Sequence, residues 1–389
     1  MKKLLIVIDS LGNGGAEKSL INLLSLIDYS KYNIDLALFS RGGINEKYVP
    51  AEVNYLPVIT LKKPHGIRAS ISFYFSRIVY SISARLKKPK TANDFSIRFW
   101  HSFSKYLPEI GPDYDVAFAY AQRLPTLYVA SKVHAKHKYA WMNVTIHHDN
   151  ALRKFYLPYF RKFDKMICVS TDVEDTVLKS YPELQNKTKV IYDINNPDFI
   201  KKLSGEYVPF DKYGNRIDIL TVARLNFEQK GYDILLKACK ILKERGYHFK
   251  WRALGDGENR DEIRRLVVKY QLEDYFELCG IQANPYPYFS HSDIYVQTSR
   301  YEGFGLSIAE ARILGLPVVT TPYDCVNLQI INGINGIIST FDPENLTNDI
   351  ARLIDNRSLY ASIHNYLIQN VTGNVDEFGK IEEILTNED

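Results

Sequence analysis

Cysteine is scarce in this 389-residue sequence: Cys168, Cys239, Cys279 and Cys325 are the four, each 40 or more positions from the next. Such spacing supplies neither a disulfide framework nor the close pairs of a zinc site. Reduced thiols in a cytoplasmic protein are the expectation. Long apolar runs are also missing, since nothing approaches the ~18 uncharged apolar residues of a membrane-crossing helix. The N-terminal run Leu4–Ile8 closes at Asp9, short of the ~7–15 residues of a signal-peptide core. It fits a buried first strand better. No short repeat or low-complexity tract appears. With 46% hydrophobic and 24% charged residues, the composition excludes disordered and fibrous classes.

What is present is length enough for two cores of about 150–200 residues each. Charge divides unevenly between them. Residues 1–170 hold 25 Lys and Arg against 12 Asp and Glu, whereas the rest hold 24 against 33. A basic half joined to an acidic half points the first toward something anionic.

Both halves alternate short apolar strands with helical patterns. The first has Leu4–Ile8, Ile34–Phe39, Val116–Tyr120, Tyr139–Asn143 and Met166–Ser170. The second has Ile217–Val222, Phe249–Leu254, Phe276–Cys279, Asp293–Thr298 and Pro317–Thr320. This predicts an α/β fold of two Rossmann-like, doubly wound domains, each a parallel sheet with helices on both faces. The expected domains are 1–195 and 216–370. The linker 196–215 is punctuated by Pro197, Gly205, Pro209 and Gly214, and residues 371–389 form a tail or helix that packs back on the first domain.

Ligands of open parallel sheets bind beyond the carboxyl ends of the strands, and chemistry-bearing residues gather there. Asp293–Thr298 runs into Ser299-Arg300-Tyr301-Glu302-Gly303-Phe304-Gly305-Leu306, with Glu310 further on. Gly303 and Gly305 permit close backbone approach to a ligand. A helix starting near Leu306 aims free amides and a positive dipole end at a phosphate. Glu302 before that helix and Glu310 one turn into it offer carboxylates to sugar hydroxyls. Upstream, Arg224 ends a strand and Lys230 precedes the next helix. A guanidinium fork and an ammonium together neutralise a departing diphosphate, which magnesium does elsewhere.

Each of these has a plainer reading alone: solvated carboxylates at a helix start, or a Lys-Gly turn. Their coincidence favours a site. Gly255-Asp256-Gly257 is either a tight turn or a wall of the phosphate pocket. His147-His148-Asp149 lacks the distant partners of a metal site. Asp113-Tyr114-Asp115 reads as turn and strand-start chemistry before Val116–Tyr120. No metal ion is expected.

These residues resemble the retaining glycosyltransferases of family 4, and the resemblance covers nearly the whole chain, most strongly from about Ile217 to Asp355. It implies the GT-B arrangement, two Rossmann-like domains facing across a cleft, the first for the acceptor and the second for the nucleotide sugar. No cofactor is implied beyond a nucleotide-diphosphate sugar, a UDP-sugar, as co-substrate. On this resemblance Glu310 binds ribose hydroxyls, Glu302 the donor sugar, and Arg224 and Lys230 the diphosphate. Gly303, Phe304, Gly305 and Leu306 join the donor side. Leu11-Gly12-Asn13-Gly14-Gly15-Ala16-Glu17 is similar to the family's first glycine loop, which brings Gly14 and Gly15 toward the diphosphate. Where the family has Trp-x-His, this chain has Trp141-Met142-Asn143, with His147 and His148 following. The acceptor-side group is therefore Asn143, His147 or His148.

The resemblance also implies front-face transfer, in which the departing phosphate helps deprotonate the acceptor hydroxyl. The implied acceptor is a lipid-linked or surface-polysaccharide intermediate. Three rivals were weighed. Paired Glu302 and Glu310 argue against a hydrolysing epimerase. A nicotinamide dehydrogenase lacks its glycine spacing, because position 17 is Glu17,. Against a non-catalytic binding subunit that has kept the fold, intact Glu302, Glu310, Arg224 and Lys230 argue against decay.

One further segment stands out. From Leu61 to Lys105, ten Lys and Arg, with Lys87, Lys88 and Lys90 among them, face one acid, Asp94. Ile71, Tyr74, Phe75, Ile78, Val79, Ile82 and Leu86 recur at helical spacing, interrupted by Arg77. The expectation is a helix packed in part on the core that also docks on an anionic membrane surface. No nucleic-acid recognition motif accompanies the charge. The expected location is cytoplasmic, peripheral on the inner face of the cell membrane.

Overall fold

The computed structural model describes residues 1–86, 91–371 and 373–386. Lys87, Lys88 and Lys90 lie outside the described residues. The chain divides into two compact units, one of Met1–Ile191 together with the chain from Gly379 on, the other of Tyr192–Phe378.

Unit 1 is a seven-stranded sheet. Its strands are β1 (Lys2–Ile8), β2 (Tyr32–Leu38), β3 (Asn54–Tyr55), β4 (Ile110–Ala119), β5 (Val133–Met142), β6 (Lys165–Cys168) and β7 (Thr188–Val190). They lie in the order β3-β2-β1-β4-β5-β6-β7, and the pairings are parallel. Unit 2 has six strands, β8 (Ile217–Val222), β9 (Phe249–Leu254), β10 (Phe276–Gly280), β11 (Ile294–Gln297), β12 (Val318–Thr320) and β13 (Ile337–Ile338), ordered β10-β9-β8-β11-β12-β13. The α/β class with two Rossmann-like parallel sheets is the observed fold. Each sheet is built from runs apolar on both sides, because helices cover both faces. Leu4–Ile8 is buried throughout, as are Ile294–Gln297.

In both units the strand order reverses beside the first strand, between β1 and β4 and between β8 and β11. The loops leaving those strands diverge there and leave a crevice. Gly14 and Gly15 follow β1, Arg224 follows β8 and Glu302 follows β11.

Three strands had no sequence signal: β3, β7 and β13, two or three residues long and each at a sheet edge. Asp113-Tyr114-Asp115 lies inside β4 rather than before it, and Asp115 pairs with Lys136 (2.7 Å) and accepts the Lys3 amide (2.9 Å). Within the stretch read as a linker, Pro197–Ser204 is a helix of unit 2 whose Ile200 and Leu203 are buried. Pro197 opens that helix rather than interrupting the chain, with the Asn196 side chain accepting the amides of Asp198 and Phe199,. At the C-terminus, Glu377–Thr386 is helical. Leu385 O accepts Lys2 Nζ at 2.8 Å and Glu383 pairs with Lys189 at 2.9 Å.

The most demanding charge in unit 2 is Asp218 on β8, fully buried and held by Arg252 (2.6 Å) and Arg216 (3.0 Å). Removing one member of such a set leaves uncompensated buried charge. Asp218→Ala should therefore lower stability by about 3–5 kcal/mol, measured by urea denaturation.

Candidate functional site

The carboxyl ends of the paired strands β8 and β11 bring Lys230 and Glu302 together. Glu302 is buried (8% exposed), and its Oε1 accepts from Lys230 Nζ at 2.6 Å, Gln297 Nε2 at 2.9 Å and Ser299 Oγ at 2.5 Å. Gln297 is itself fixed, because its Oε1 accepts the Tyr295 hydroxyl at 3.0 Å. Burial holds the Tyr295 phenol well above its usual range, so it stays protonated and donates,. Sequence reasoning found Lys230 and Glu302 but not Gln297, Ser299 or Tyr295. The one signal available was that Gln297 and Ser299 are polar and immediately precede Glu302.

Backbone contacts stitch the two loops. Phe227–Lys230 is a single helical turn ended by Gly231 in the left-handed region (φ 65°), and Tyr232–Glu244 starts directly after it. A Cβ at Gly231 would sit 2.1 Å from Thr298 O. Thr298 Oγ1 donates to Lys230 O at 2.8 Å, and Arg300 N to Gln229 O at 2.7 Å. The Arg300 side chain forks onto Asp233 (3.0 and 2.8 Å) and donates to Phe227 O. Arg300, at the head of the motif, is therefore a brace.

Gly305, at φ 89°, caps the helix Leu306–Ile313. The first amides of such a helix have no intrahelical acceptor. Gln329 Nε2 donates to Phe304 O (2.6 Å) and Gly305 O (3.2 Å), and Ser307 Oγ donates to Val222 O (3.1 Å). Those contacts hold the loop and helix start against the end of β8. Phe304 is mostly buried with its ring 5.8 Å from that of Tyr192. Glu310 is 1% exposed and accepts the Tyr286 hydroxyl at 3.1 Å.

Arg224 is exposed beyond β8. Gly255-Asp256-Gly257 packs against the backbone on either side of it, just before a turn at Glu258 and Asn259. A Cβ at Gly255 would meet Ala223 O at 2.1 Å, and one at Gly257 would meet Leu225 O at 2.4 Å, while Leu225 N donates to Asp256 O at 3.1 Å. Glu258 alongside is held below the usual carboxylate range by its own backbone amide, by the Asn226 side chain and then by Arg224. The segment thus seats the arginine-bearing loop.

In unit 1, Gly14 is the cap of the helix Gly15–Leu24, directly after the β1 loop. Asn143 is turned inward, its Nδ2 donating to Tyr120 O at 3.1 Å. His148 is also engaged, with Nδ1 2.5 Å from the Tyr181 hydroxyl and its ring stacked on Tyr156. Burial pushes its imidazole down to about 4. A pocket of about 120 Å³ opens beyond β4 and β5, lined by Asn93, Gln122, Arg123, Thr145, His147 and His148 among others. Arg123 has an unusual positive φ of 71°, the kind of backbone strain found at functional positions. Arg123 and Gln122 carried no sequence signal. Among the described residues no group of three or more His, Cys, Asp or Glu is placed to hold a metal ion.

The two-domain parallel-sheet fold is shared with solved glycosyltransferases. The Anabaena protein HepE, in a crystal structure with UDP and glucose, superposes with a TM-score of 0.73 over 100% of both chains at 18% identity. Residues 208–370, which contain the donor-side cluster, match the family Glycosyl transferases group 1. The chain is 32% identical over 173 residues to an uncharacterized glycosyltransferase of Methanocaldococcus jannaschii, a match spanning 43% of this chain and 41% of that protein. It is 26% identical over 329 residues to the amylovoran biosynthesis glycosyltransferase AmsD of Erwinia amylovora, covering 84% of this chain and 82% of that one. The domain match and the shared fold together support the glycosyltransferase superfamily.

Two outcomes follow. Gln297→Leu withdraws one donor from Glu302 and one acceptor from Tyr295, and should cost about 1–3 kcal/mol by urea denaturation. His148 stays neutral in the folded chain while the unfolded histidine takes up a proton near its ordinary value. Stability should therefore fall as pH drops from about 6.5 toward 4,. Comparison of denaturation curves should show that slope reduced in His148→Asn.

Proposed function

We propose that this chain is a retaining, metal-independent glycosyltransferase of family 4. It moves a sugar from a nucleotide-diphosphate donor, a UDP-sugar, to a lipid-linked or polysaccharide acceptor at an anionic membrane surface. The observation that carries the reading is the buried Lys230–Glu302 pair (2.6 Å), set beside Arg224 at the carboxyl ends of adjacent strands in the segment matching Glycosyl transferases group 1.

In this reaction the bond from the anomeric carbon to the β-phosphate oxygen breaks and the acceptor oxygen bonds to that carbon on the same face. The acceptor proton passes to the departing phosphate. Lys230 and Arg224 stabilise the charge gathering on the diphosphate, with the first amides of the helix Leu306–Ile313 adding to it. Glu302 and Glu310 hold hydroxyls of the sugar and ribose. Holding the partners in one geometry supplies most of the remaining acceleration. His147, exposed at the unit 1 pocket, is the acceptor-side group best placed to meet a ligand, since His148 is held by Tyr181 and Asn143 lies inward with its Nδ2 on Tyr120 O. UDP bound to HepE and the amylovoran role in AmsD's name support the donor and acceptor classes.

A screen of nucleotide sugars monitored by nucleoside diphosphate release tests the activity. At saturating donor, Arg224→Ala and Lys230→Ala should each lower turnover by about 10²-fold or more. Unchanged turnover in either would reject the role assigned to it, and stabilisation by NAD but by no sugar nucleotide would reject the class.

A further inference from the structure

The helix Ile67–Leu86 is apolar on two opposite sides. Phe73 and Tyr80 face the protein, where they join Phe99, Phe103, Tyr106 and Leu61 in a small cluster. Their rings meet Tyr106 and Phe103 at 4.9 and 5.1 Å. Partial packing on the protein was expected, and the remaining apolar residues point away from it. Ile71, Tyr74, Phe75, Ile78, Val79 and Ile82 are 44–65% exposed, and Ile67 is 82% exposed. At about 100° per residue, all of them fall within an arc of roughly 140°, with Phe73 and Tyr80 on the far side. Scattered exposed apolar residues need no explanation, but a contiguous stripe of this length marks an interaction surface.

The charge around the stripe selects the partner. Arg68 and Arg85 lie on or beside it, Arg77 flanks it, and Lys62 and Lys63 precede it. No carboxylate occurs between Glu52 and Asp94. A second copy of this face would oppose arginine to arginine across a two-fold axis. No helix among the described residues is long and apolar enough to cross a membrane. We infer that Ile67–Leu86 lies in the plane of an anionic lipid surface, its outer stripe sunk among the acyl chains and its arginines at the phosphates. This deepens the proposed reading, because it gives the enzyme a means of reaching a lipid-linked acceptor. Lipid binding is measured without sugar transfer, so the two readings fail separately.

The test uses the full chain and vesicles of phosphatidylcholine with and without phosphatidylglycerol. Sedimentation should show binding to the anionic vesicles at least about 10-fold tighter than to the neutral ones, weakening as salt rises. The triple variant Ile71→Ser, Phe75→Ser, Ile78→Ser touches only exposed positions. It should lose binding by about 10-fold or more while keeping its melting temperature and its nucleotide release in the absence of lipid. Phe75→Trp, in an otherwise native chain, should shift its emission to the blue on anionic vesicles and be quenched by brominated acyl chains. Equal binding by the triple variant, or a Phe75→Trp emission indifferent to lipid, overturns the inference. So does a native oligomer that the triple variant reduces to monomer, which would make the stripe a contact between copies.

Discussion

The loops beyond β8 and β11 in unit 2 depend on keeping a charged pair, Lys230 and Glu302, largely out of water. Their side chains are 18% and 8% exposed, so the lost hydration has to be replaced by close partners. Gln297 and Ser299 supply these to the carboxylate. The geometry then requires two loops from neighbouring strands to stay in register, which explains the stitching by Thr298, Gln229 and the Arg300–Asp233 fork. Gly231 is part of the same requirement, since a side chain there would strike Thr298. The result is an ammonium held in one place by the carboxylate beside it.

The main sheets were legible because their strands are buried on both faces and so appear as unbroken apolar runs. The Glu302–Glu310 motif was legible because its residues are contiguous and its glycines sit where the backbone turns. The remaining ties were hidden by distance along the chain. Gln329 secures the loop of Phe304 and Gly305 from 25 and 24 positions away, and no local pattern announces that. Tyr286 and Glu310 are similarly remote. Gly255-Asp256-Gly257 was ambiguous in sequence because packing under a loop and lining a pocket demand the same small residues. Ile67–Leu86 was legible only in part, because periodicity reports an apolar face but not which side of the helix the protein occupies, and here Phe73 and Tyr80 suffice to seat it.

Unit 1 shows how a polar residue's availability depends on its neighbours. Asn143 and His148 were as plausible as His147 from sequence, yet one is bonded to the backbone of Tyr120 and the other is wedged between Tyr156 and Tyr181. Burial keeps His148 uncharged, so at neutral pH it contributes shape and a fixed hydrogen bond. The other polar and charged lining of the adjoining pocket comes from Asn93, Gln122, Arg123, Thr145 and His147.

The short edge strands bear on how such a chain avoids edge-to-edge pairing while it is made. A parallel sheet ends in a row of unpaired amides and carbonyls that can template a neighbouring chain. Here β3, β7 and β13 are only two or three residues long, too short to offer such a row. The remaining edge, β10, has five residues, but its register shifts between Leu278 and Gly280. A break of that kind disrupts continued pairing along the edge. All four margins are thus poor seeds for aggregation, which leaves the outer stripe of Ile67–Leu86 as the most adhesive surface described in the chain.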